Sequence, residues 1–341
     1  MNEKKILITG GAGYVGSVLI PKLIEDGYYI KCLDRFFFGK KYLSSTKFEN
    51  KLELIEDDIR WVNSKVFTDV DIVLDLAALS NDPVGDLDPQ KTFEINHLGR
   101  KRIANLSKKE GVPQYILASS ASIYGQQREV ADENSDVFPL TAYSKANRAA
   151  EISNLPLNDE DFSVTVLRFS SLYGISPRMR FDISVNSMVL ELFQKNKITV
   201  HGKNNQRPFL HINDAIEAYR VVLNAQKEKI AGEIFNVGSN EQNYKIGNIA
   251  KQIIEGIGNN TELELGDNND HRSYEVSFDK IKNILSFDTK YNIKEGAKEI
   301  FDALKTGEIT DSIETITLKW YQHIQENKEL RNKFSIDGKI F

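Results

Sequence analysis

Residues 5–16 read KILITGGAGYVG, and this stretch near the N-terminus decides the fold. Its first five residues, Lys5–Thr9, form a short apolar run that is typical of a buried strand. The glycines that follow satisfy G-x-G-x-x-G from Gly11 and G-x-x-G-x-x-G from Gly10. Glycines at this spacing allow a tight turn, a close approach of the backbone to a pyrophosphate, and packing of the next helix on the strand. The stretch therefore predicts a strand, a phosphate-binding loop and a helix.

An acidic residue at a suitable distance supports a dinucleotide as the ligand of this loop. Asp34 lies 18 residues after Gly16 and follows a second apolar run, Tyr29–Leu33. A carboxylate at this place accepts hydrogen bonds from ribose hydroxyls and repels a 2′-phosphate, so Asp34 favours NAD over NADP. The neighbouring Arg35 keeps the alternative open, because an arginine there can bind the additional phosphate.

The first half of the chain alternates apolar runs with helical patterns. Strands are predicted over 5–9, 29–33, 52–55, 72–76, 115–118, 163–169 and 233–237. Helices are predicted over 15–26, 92–110, 143–155, 183–195, 215–227, 246–256 and 293–304. Strands that alternate with helices imply crossover connections and a parallel sheet. The prediction is an α/β fold with a doubly wound parallel sheet (Rossmann) and a smaller, discontinuous C-terminal substrate domain.

The length of 341 residues favours roughly two domains. The first, which would bind the dinucleotide, is expected over 1–174 plus about 215–240. The second, which would bind the substrate, is expected over about 175–214 plus 241–341.

Composition excludes several classes of protein. The formal net charge of −5 (44 basic against 49 acidic residues) argues against nucleic acid as a partner. Cys32 is the single cysteine, so an intramolecular disulfide is impossible. No apolar run approaches the ~18 residues that span a bilayer, and Ile6–Ile8 is too short for a signal peptide. The five histidines show no metal-ligand spacing. We expect a cytoplasmic protein without a metal, a membrane or a nucleic acid as partner.

Eight motifs, in order along nearly the whole chain, resemble the extended short-chain dehydrogenase/reductase family. The resemblance is to its NAD-dependent sugar-nucleotide epimerase/dehydratase branch, which includes UDP-glucose 4-epimerase-like enzymes. The motifs are residues 10–16, 58–59, 76–78 with Asn96, 119–125, Tyr143 with Glu151, 167–174, 207–214 and 235–238.

The resemblance implies NAD as the cofactor and a nucleotide-diphosphate sugar as the substrate. The implied cofactor-binding residues are Gly10, Gly13, Tyr14, Val15, Gly16, Asp34, Asp58, Ile59, Leu76, Ala77, Ala78, Asn96 and Tyr143. The implied substrate-binding residues are Ser120, Arg180, Asn186, Arg207 and Arg272. Arginine suits a diphosphate because its planar fork donates two parallel hydrogen bonds.

The resemblance also implies the chemistry. Tyr143 would take a proton from a sugar hydroxyl, while the hydride on the same carbon passes to the nicotinamide, and Ser120 would hydrogen-bond the reacting oxygen. An unperturbed tyrosine has a pKa near ~10, so the site must lower it. The simplest activity is C4 epimerisation. A net 4-dehydrogenase or ketoreductase, or a cofactor-binding protein with degenerate catalysis, remains an alternative.

One position departs from the family pattern Tyr-x-x-x-Lys, in which the lysine supports the tyrosinate. Four residues after Tyr143 comes Asn147, which carries no charge. Lys145 is two residues away and therefore on another face of the helix, and pairing it with Thr141 would replace the tyrosine by a much weaker acid. Asn147 is therefore assigned to the catalytic group. The sequence predicts a hydride transfer that is slow at neutral pH, faster at alkaline pH and accelerated by Asn147→Lys.

Two further expectations follow from the resemblance. In the 4,6-dehydratases of this branch, acidic residues that move protons during the loss of water follow the catalytic Ser/Thr. In this chain the two residues after Ser120 are Ala121 and Ser122. We therefore expect no 4,6-dehydration. Family members often dimerise through two long helices per subunit, here 92–110 and 143–155, so we expect a homodimer.

Overall fold

Seven strands pair side by side in one parallel sheet. The glycine loop follows the first strand of the chain, Lys5–Thr9, which lies in the interior of this sheet. The computed structural model describes residues 3–44, 48, 50–258, 261–266 and 272–340. The strands of the large sheet are β1 (Lys5–Thr9), β2 (Tyr29–Asp34), β3 (Leu52–Glu56), β4 (Ile72–Asp75), β5 (Gln114–Ser120), β6 (Ser163–Phe169) and β10 (Ile234–Val237). Their order is β10-β6-β5-β4-β1-β2-β3, and every pairing is parallel.

The order of the strands changes direction between β1 and β4, which lie next to each other in the sheet. It runs from β1 outward to β2 and β3, then returns to place β4 on the other side of β1. The register joins Lys5 to Tyr29 on one side and Ile6 to Ile72 on the other. The carboxyl ends of strands that diverge in this way leave a crevice, which is where ligands bind in open α/β sheets.

Helices cover both faces of this sheet. They are α1 (Gly16–Glu25), α2 (Asp82–Leu87), α3 (Pro89–Phe93), α4 (Arg100–Lys109), α5 (Ala142–Asn154), α7 (Ile212–Asn224), the short α8 (Lys227–Ile230) and α10 (Asp279–Leu285). Successive side chains of β1 point to opposite faces: Ile6 and Ile8 pack with Leu19 of α1, whereas Leu7 packs with Ile103 of α4. The apolar run of β1 is therefore buried on both sides.

A second hydrophobic core is built from later segments of the chain. It is formed by α6 (Ser184–Lys195), α9 (Ile246–Ile257) and α11 (Ile293–Thr306), which pack through Val189, Ile249 and Ile300. Small sheets flank it, built from β7 (Ser171–Tyr173), β8 (Lys197–His201), β9 (Gln206–His211), β11 (Asn243–Lys245) and β12 (Glu262–Gly266). The domain boundaries near 174, 215 and 240 remain a proposal, and residues 1–2, 45–47, 49, 259–260, 267–271 and 341 of those ranges lie outside the described chain.

Several elements differ from the sequence prediction. The helix expected over 92–110 begins at Pro89, because Asp88 caps it, and contains a π-helical segment over Glu94–Gly99. The short strands of the smaller sheets were not predicted, since three to six residues give little periodicity. Also unpredicted are α12 (Thr317–Glu326) and α13 (Lys328–Phe334), which pack on Phe37 through Trp320 and Phe334. No helix in the described part of the chain is long and apolar enough to cross a membrane.

Candidate active site

A cleft of about 670 Å³ opens at the carboxyl ends of β1, β2, β4 and β5. Its walls come from both parts of the chain. Sixteen predicted site residues line it: Gly10, Gly13, Tyr14, Val15, Gly16, Asp34, Asp58, Ile59, Leu76, Ala77, Ala78, Ser120, Tyr143, Arg180, Arg207 and Arg272. Asn96, Asn147 and Asn186 do not reach its wall.

The glycine loop fits a pyrophosphate closely. Gly10 has φ +67°, and a Cβ there would meet the Cα of Ala77 at 2.7 Å. A Cβ on Gly16 would collide with the backbone of Gly11, so α1 begins directly against the loop. The N-terminus of α1 presents free N–H groups and a positive dipole end to the cleft. This cradle fits the diphosphate of NAD.

Asp34 holds the loop from the end of β2. Its carboxylate accepts from the N–H of Ala12 at 2.9 Å and from the N–H of Phe36 at 2.7 Å. Burial raises the pKa of Asp34, and these two backbone donors act in the opposite direction. Asp34 therefore fixes the shape of the loop while its carboxylate still lines the cleft.

Arg35 lines the cleft, but its guanidinium is engaged by groups of the protein. Its guanidinium donates to Asp58 at 2.8 Å and to the carbonyl oxygens of Phe334 and Lys339. Asp58 also accepts from Arg60. Arg35, the residue that left NADP open as an alternative cofactor, thus joins this wall of the cleft to the C-terminal segment. Ile59 lies beside Asp58 on the wall of the cleft.

Two asparagines of the predicted site lie behind the wall of the cleft. Asn96 was expected to contact the cofactor, but it is fully buried, and its amide exchanges two hydrogen bonds with the backbone of Leu79. Asn186 was expected to contact the substrate, but it is fully buried and bonds the backbone of Gly174 and Arg180. Both side chains use their amides to brace loops of the cleft, so they are positioning residues.

Ser120 and Tyr143 reach the cleft from neighbouring elements. Ser120 ends β5, and Tyr143 lies in the first turn of α5, which begins with a capping box between Thr141 and Ser144. Glu151, also on α5, accepts from Ser119 at 2.6 Å and thereby ties the helix to the strand. This bond sets the two elements in register.

The pKa of Tyr143 is raised because burial disfavours the phenolate. The positive charge of Arg100 lowers it, and the nearby Ser120 and Asn147 act in the same direction. The carboxylate of Asp82 opposes them. A bound cationic group would lower the pKa further.

Arg100 is the functional residue that the sequence reasoning missed. It is the first residue of α4, and it is 2% exposed. Its Nε donates to the carbonyl oxygen of Ala77 at 2.9 Å, and its Nη1 donates to Oδ1 of Asn147 at 2.9 Å. This arginine therefore brings a positive charge to the surroundings of Tyr143, where Asn147 brings none. The only sequence signal for Arg100 was the asparagine at position 147 in place of a lysine. That signal does not show which other residue brings a positive charge.

Three predicted arginines also line the cleft. Arg180 forms two bonds with Asp182, at 2.8 and 3.1 Å. Arg207 lies over the ring of Tyr274, 5.0 Å from its centroid, and donates to the carbonyl of Arg272. Arg272 in turn pairs with Asp82. The cationic groups face a pocket that suits a diphosphate.

Arg178 is a second residue that was not singled out. It lines the cleft and donates to Oγ1 of Thr317 at 2.9 Å, and its guanidinium lies over Phe38 at 3.6 Å. Burial lowers the pKa of Arg178 to about 10. Its Nε and Nη1 are buried without a hydrogen-bond partner among the described residues, which leaves two donors for a ligand.

Comparison with known proteins identifies the class. A model of the NAD dependent epimerase/dehydratase family matches residues 6–238, which is more than half of the chain. The chain belongs to this family. The predicted family, the enzyme class and NAD as the cofactor are thereby confirmed.

Individual relatives extend over most of the chain. A putative UDP-glucose 4-epimerase of Methanocaldococcus jannaschii is 28% identical over 315 residues, 89% of this chain and 100% of that protein. UDP-glucuronic acid decarboxylase 1 of Xenopus tropicalis is 28% identical over 308 residues, 86% of this chain and 70% of that protein. The UDP-glucuronic acid 4-epimerase of Bacillus cereus has a similar structure, with a TM-score of 0.80 and 22% identity over 89% of this chain and 99% of that one. This similarity confirms the predicted fold.

Proposed function

We propose that the protein epimerises a nucleotide-activated sugar at C4, with Tyr143 as the base and Ser120 as its hydroxyl partner. One observation carries the proposal: Ser120 and Tyr143 line the same cleft as the glycine loop, and Arg207 and Arg272 line it as well. A hydroxyl pair next to a dinucleotide site suits oxidation of a secondary alcohol. Arginines in the same cleft suit a substrate that carries a diphosphate.

The residues of the chain divide the work. Bound NAD supplies the hydride acceptor and, later, the hydride donor. Gly10 and Gly16 leave room for its diphosphate, and Asp34 is placed to accept from its ribose. Tyr143 takes the proton of the C4 hydroxyl and returns it to the same oxygen after the keto sugar has turned over. Ser120 donates to that oxygen throughout.

The test is a product analysis on a panel of UDP-, GDP- and dTDP-linked hexoses and hexuronic acids. We expect one donor to be converted to its C4 epimer without net change of cofactor, observed by NMR of the product. Tyr143→Phe should lose about 100-fold or more in rate, because general-base catalysis contributes that much. Its folding is checked by thermal unfolding, and Tyr244→Phe, on β11 and outside the lining of the cleft, is the control.

Other products would contradict the proposal in distinct ways. A net yield of 4-keto sugar with stoichiometric reduced cofactor would indicate the dehydrogenase. Loss of CO₂ from a hexuronic acid would indicate a decarboxylase, the activity named for the Xenopus relative. Cofactor binding without affinity for any of the sugars would indicate a protein with degenerate catalysis.

We also propose a homodimer through the helices α3–α4 and α5. Two large apolar side chains on these helices are exposed, Leu98 at 54% and Ile152 at 59%. Exposed apolar side chains on adjacent helices favour burial against a second copy. Light scattering at micromolar concentration should give the mass of a dimer, and Ile152→Glu should give a monomer. A monomeric wild type would refute this interface.

A cytoplasmic location is proposed from the single cysteine. Cys32 is buried in the sheet and has no second cysteine to pair with. Such usage suits a reducing compartment.

A further inference from the structure

A buried cation lies beside the catalytic helix at the place where the family pattern leads one to expect a lysine. Arg100 comes from a different helix, α4, and approaches α5 at Asn147. Its two hydrogen-bond acceptors, the carbonyl of Ala77 and the amide of Asn147, are both neutral. Neither acceptor neutralises the guanidinium, so its charge acts on the groups around it, which include the buried carboxyl of Asp75 as well as Tyr143.

The bonds also fix the orientation of Asn147. A guanidinium has donors and no acceptor, so the oxygen of the Asn147 amide must face Arg100. The nitrogen of that amide then points elsewhere, and Nδ2 is buried without a partner among the described residues. Asn147 is four residues after Tyr143 and shares its face of the helix. This nitrogen lies close enough to Tyr143 to lower the pKa of its phenol, and its unfilled hydrogen bond is available to a ligand.

We propose that Arg100 and Asn147 together replace the lysine of the family pattern. In this arrangement Arg100 supplies the positive charge that stabilises the tyrosinate of Tyr143, and Asn147 holds the guanidinium and offers Nδ2 to a hydroxyl of the cofactor ribose. Arg100 is a positioning residue that acts on Tyr143 through space. The proposal rests on the function proposed above, in which Tyr143 is the base.

The other charged groups near Tyr143 do not duplicate this role. Asp82 faces it from α2 and opposes the phenolate. Arg180 also faces it, but its guanidinium is paired with Asp182. Tyr274 interacts with it as another neutral phenol. The charge of Arg100 also acts on three other buried groups, and it lowers the pKa values of Asp75, Tyr115 and Tyr219.

The arrangement reverses the expected effect of restoring the lysine. Asn147→Lys would remove the acceptor of Arg100 and place a second cation against it in a buried site, which is destabilising. The single variant should therefore be less stable and slower than wild type. Combining it with Arg100→Ala makes room and leaves one cation, so the double variant should regain activity at neutral pH.

The decisive measurement is the ionisation of Tyr143 in the NAD-loaded protein, followed by ultraviolet difference titration against the matching Tyr143→Phe protein. Arg100→Gln should raise the midpoint by about one unit or more, because a neutral side chain replaces the charge. Arg100→Lys should keep the midpoint near that of wild type. Arg102→Gln is the control, since Arg102 lies on the same helix and donates to the carbonyl of Val62.

The rate of cofactor reduction by the sugar gives a second readout. We expect Arg100→Gln to lose about tenfold at any pH below both midpoints and progressively less as the pH passes them, because a one-unit shift lowers the tyrosinate fraction tenfold only below the midpoint. An unchanged midpoint, or an equal loss at every pH, would overturn the proposal, and so would a double variant no faster than Asn147→Lys. If no sugar reduces the cofactor while the titration shifts as expected, the proposed function fails and the inference about Arg100 stands.

Discussion

The two residues after Ser120 limit which reactions the site could add to the oxidation at C4 that we propose. Ala121 has no polar side chain, and Ser122 lines the cleft with an Oγ that is buried without a hydrogen-bond partner among the described residues. A serine hydroxyl does not ionise at neutral pH, so neither residue can move a proton to or from C5 and C6.

We predict that the protein forms no 4-keto-6-deoxy sugar from any NDP-hexose. The measurement is mass spectrometry of the products after long incubation with the panel above, since dehydration lowers the mass by one water. The variant Ala121→Asp combined with Ser122→Glu tests whether acids alone open this route. Detection of the dehydrated product with wild type would show that another acid of the cleft serves the reaction.

Among the elements, α5 shows how one helix face combines three tasks. Tyr143, Asn147 and Glu151 are spaced by four residues, so they lie along one face. Tyr143 lines the cleft, Asn147 meets Arg100, and Glu151 meets Arg168 of β6. The proposed base, the residue that meets the buried cation and the residue that anchors the helix therefore lie on one face of α5.

The anchoring pair is the next prediction. Glu151 accepts from Arg168 at 2.9 and 3.0 Å, and both side chains are at most 2% exposed. Removing one partner of a buried ion pair leaves the other charge uncompensated. Glu151→Gln should therefore lower the free energy of unfolding by about 3–5 kcal/mol, measured by urea denaturation.

An exposed ion pair provides the matched control for this measurement. Asp302 pairs with Lys298 one turn away on α11, and both side chains are more than half exposed. Asp302→Asn should change the free energy of unfolding by no more than about 0.5 kcal/mol, since exposed pairs contribute little. Equal effects of the two substitutions would contradict our account of α5.

At the scale of the whole molecule, Asp182 joins segments that are far apart in the chain. Its carboxylate accepts from Arg180 at 2.8 Å, from Asn81 at 3.0 Å and from the N–H of Thr317 at 3.1 Å. The wall of the cleft, the loop after β4 and the C-terminal helix α12 thus meet at one side chain. Burial acts to raise the pKa of Asp182, but the charge and hydrogen bonds of Arg180, the bond from Thr317 and the charge of Arg178 together lower it to about 2.

This pKa predicts a dependence of stability on pH. A carboxyl whose folded pKa lies below its ordinary value of 3.8 stabilises the fold above that value, and the contribution is lost as the pH falls toward about 2. Asp182→Asn should therefore lower the free energy of unfolding by about 2 kcal/mol at neutral pH. Urea denaturation from pH 7 to pH 2 should show the two proteins converging below about pH 4. A difference that persists at pH 2 would mean that the bonds of Asp182 do not depend on its charge.

The sequence by itself determined the strand β1, the glycine loop and the helix α1. These features depend on apolar periodicity and glycine spacing within one short window, where local sterics decide the backbone. The strand β1 was predicted at its observed bounds, Lys5–Thr9. Ser120 and Tyr143 were likewise found from their motifs, and the structure places both on the wall of the cleft.

Only the tertiary structure shows which cation meets Asn147 and what engages Arg35. Arg100 meets Asn147 across 47 positions of the chain, and Arg35 meets Phe334 across 299. Such pairs form because two folded elements bring them together, and no local pattern records which distant arginine will meet which side chain. For the same reason, Asn96 and Asn186 match binding motifs in the sequence, but their amides are used by the backbone of neighbouring loops.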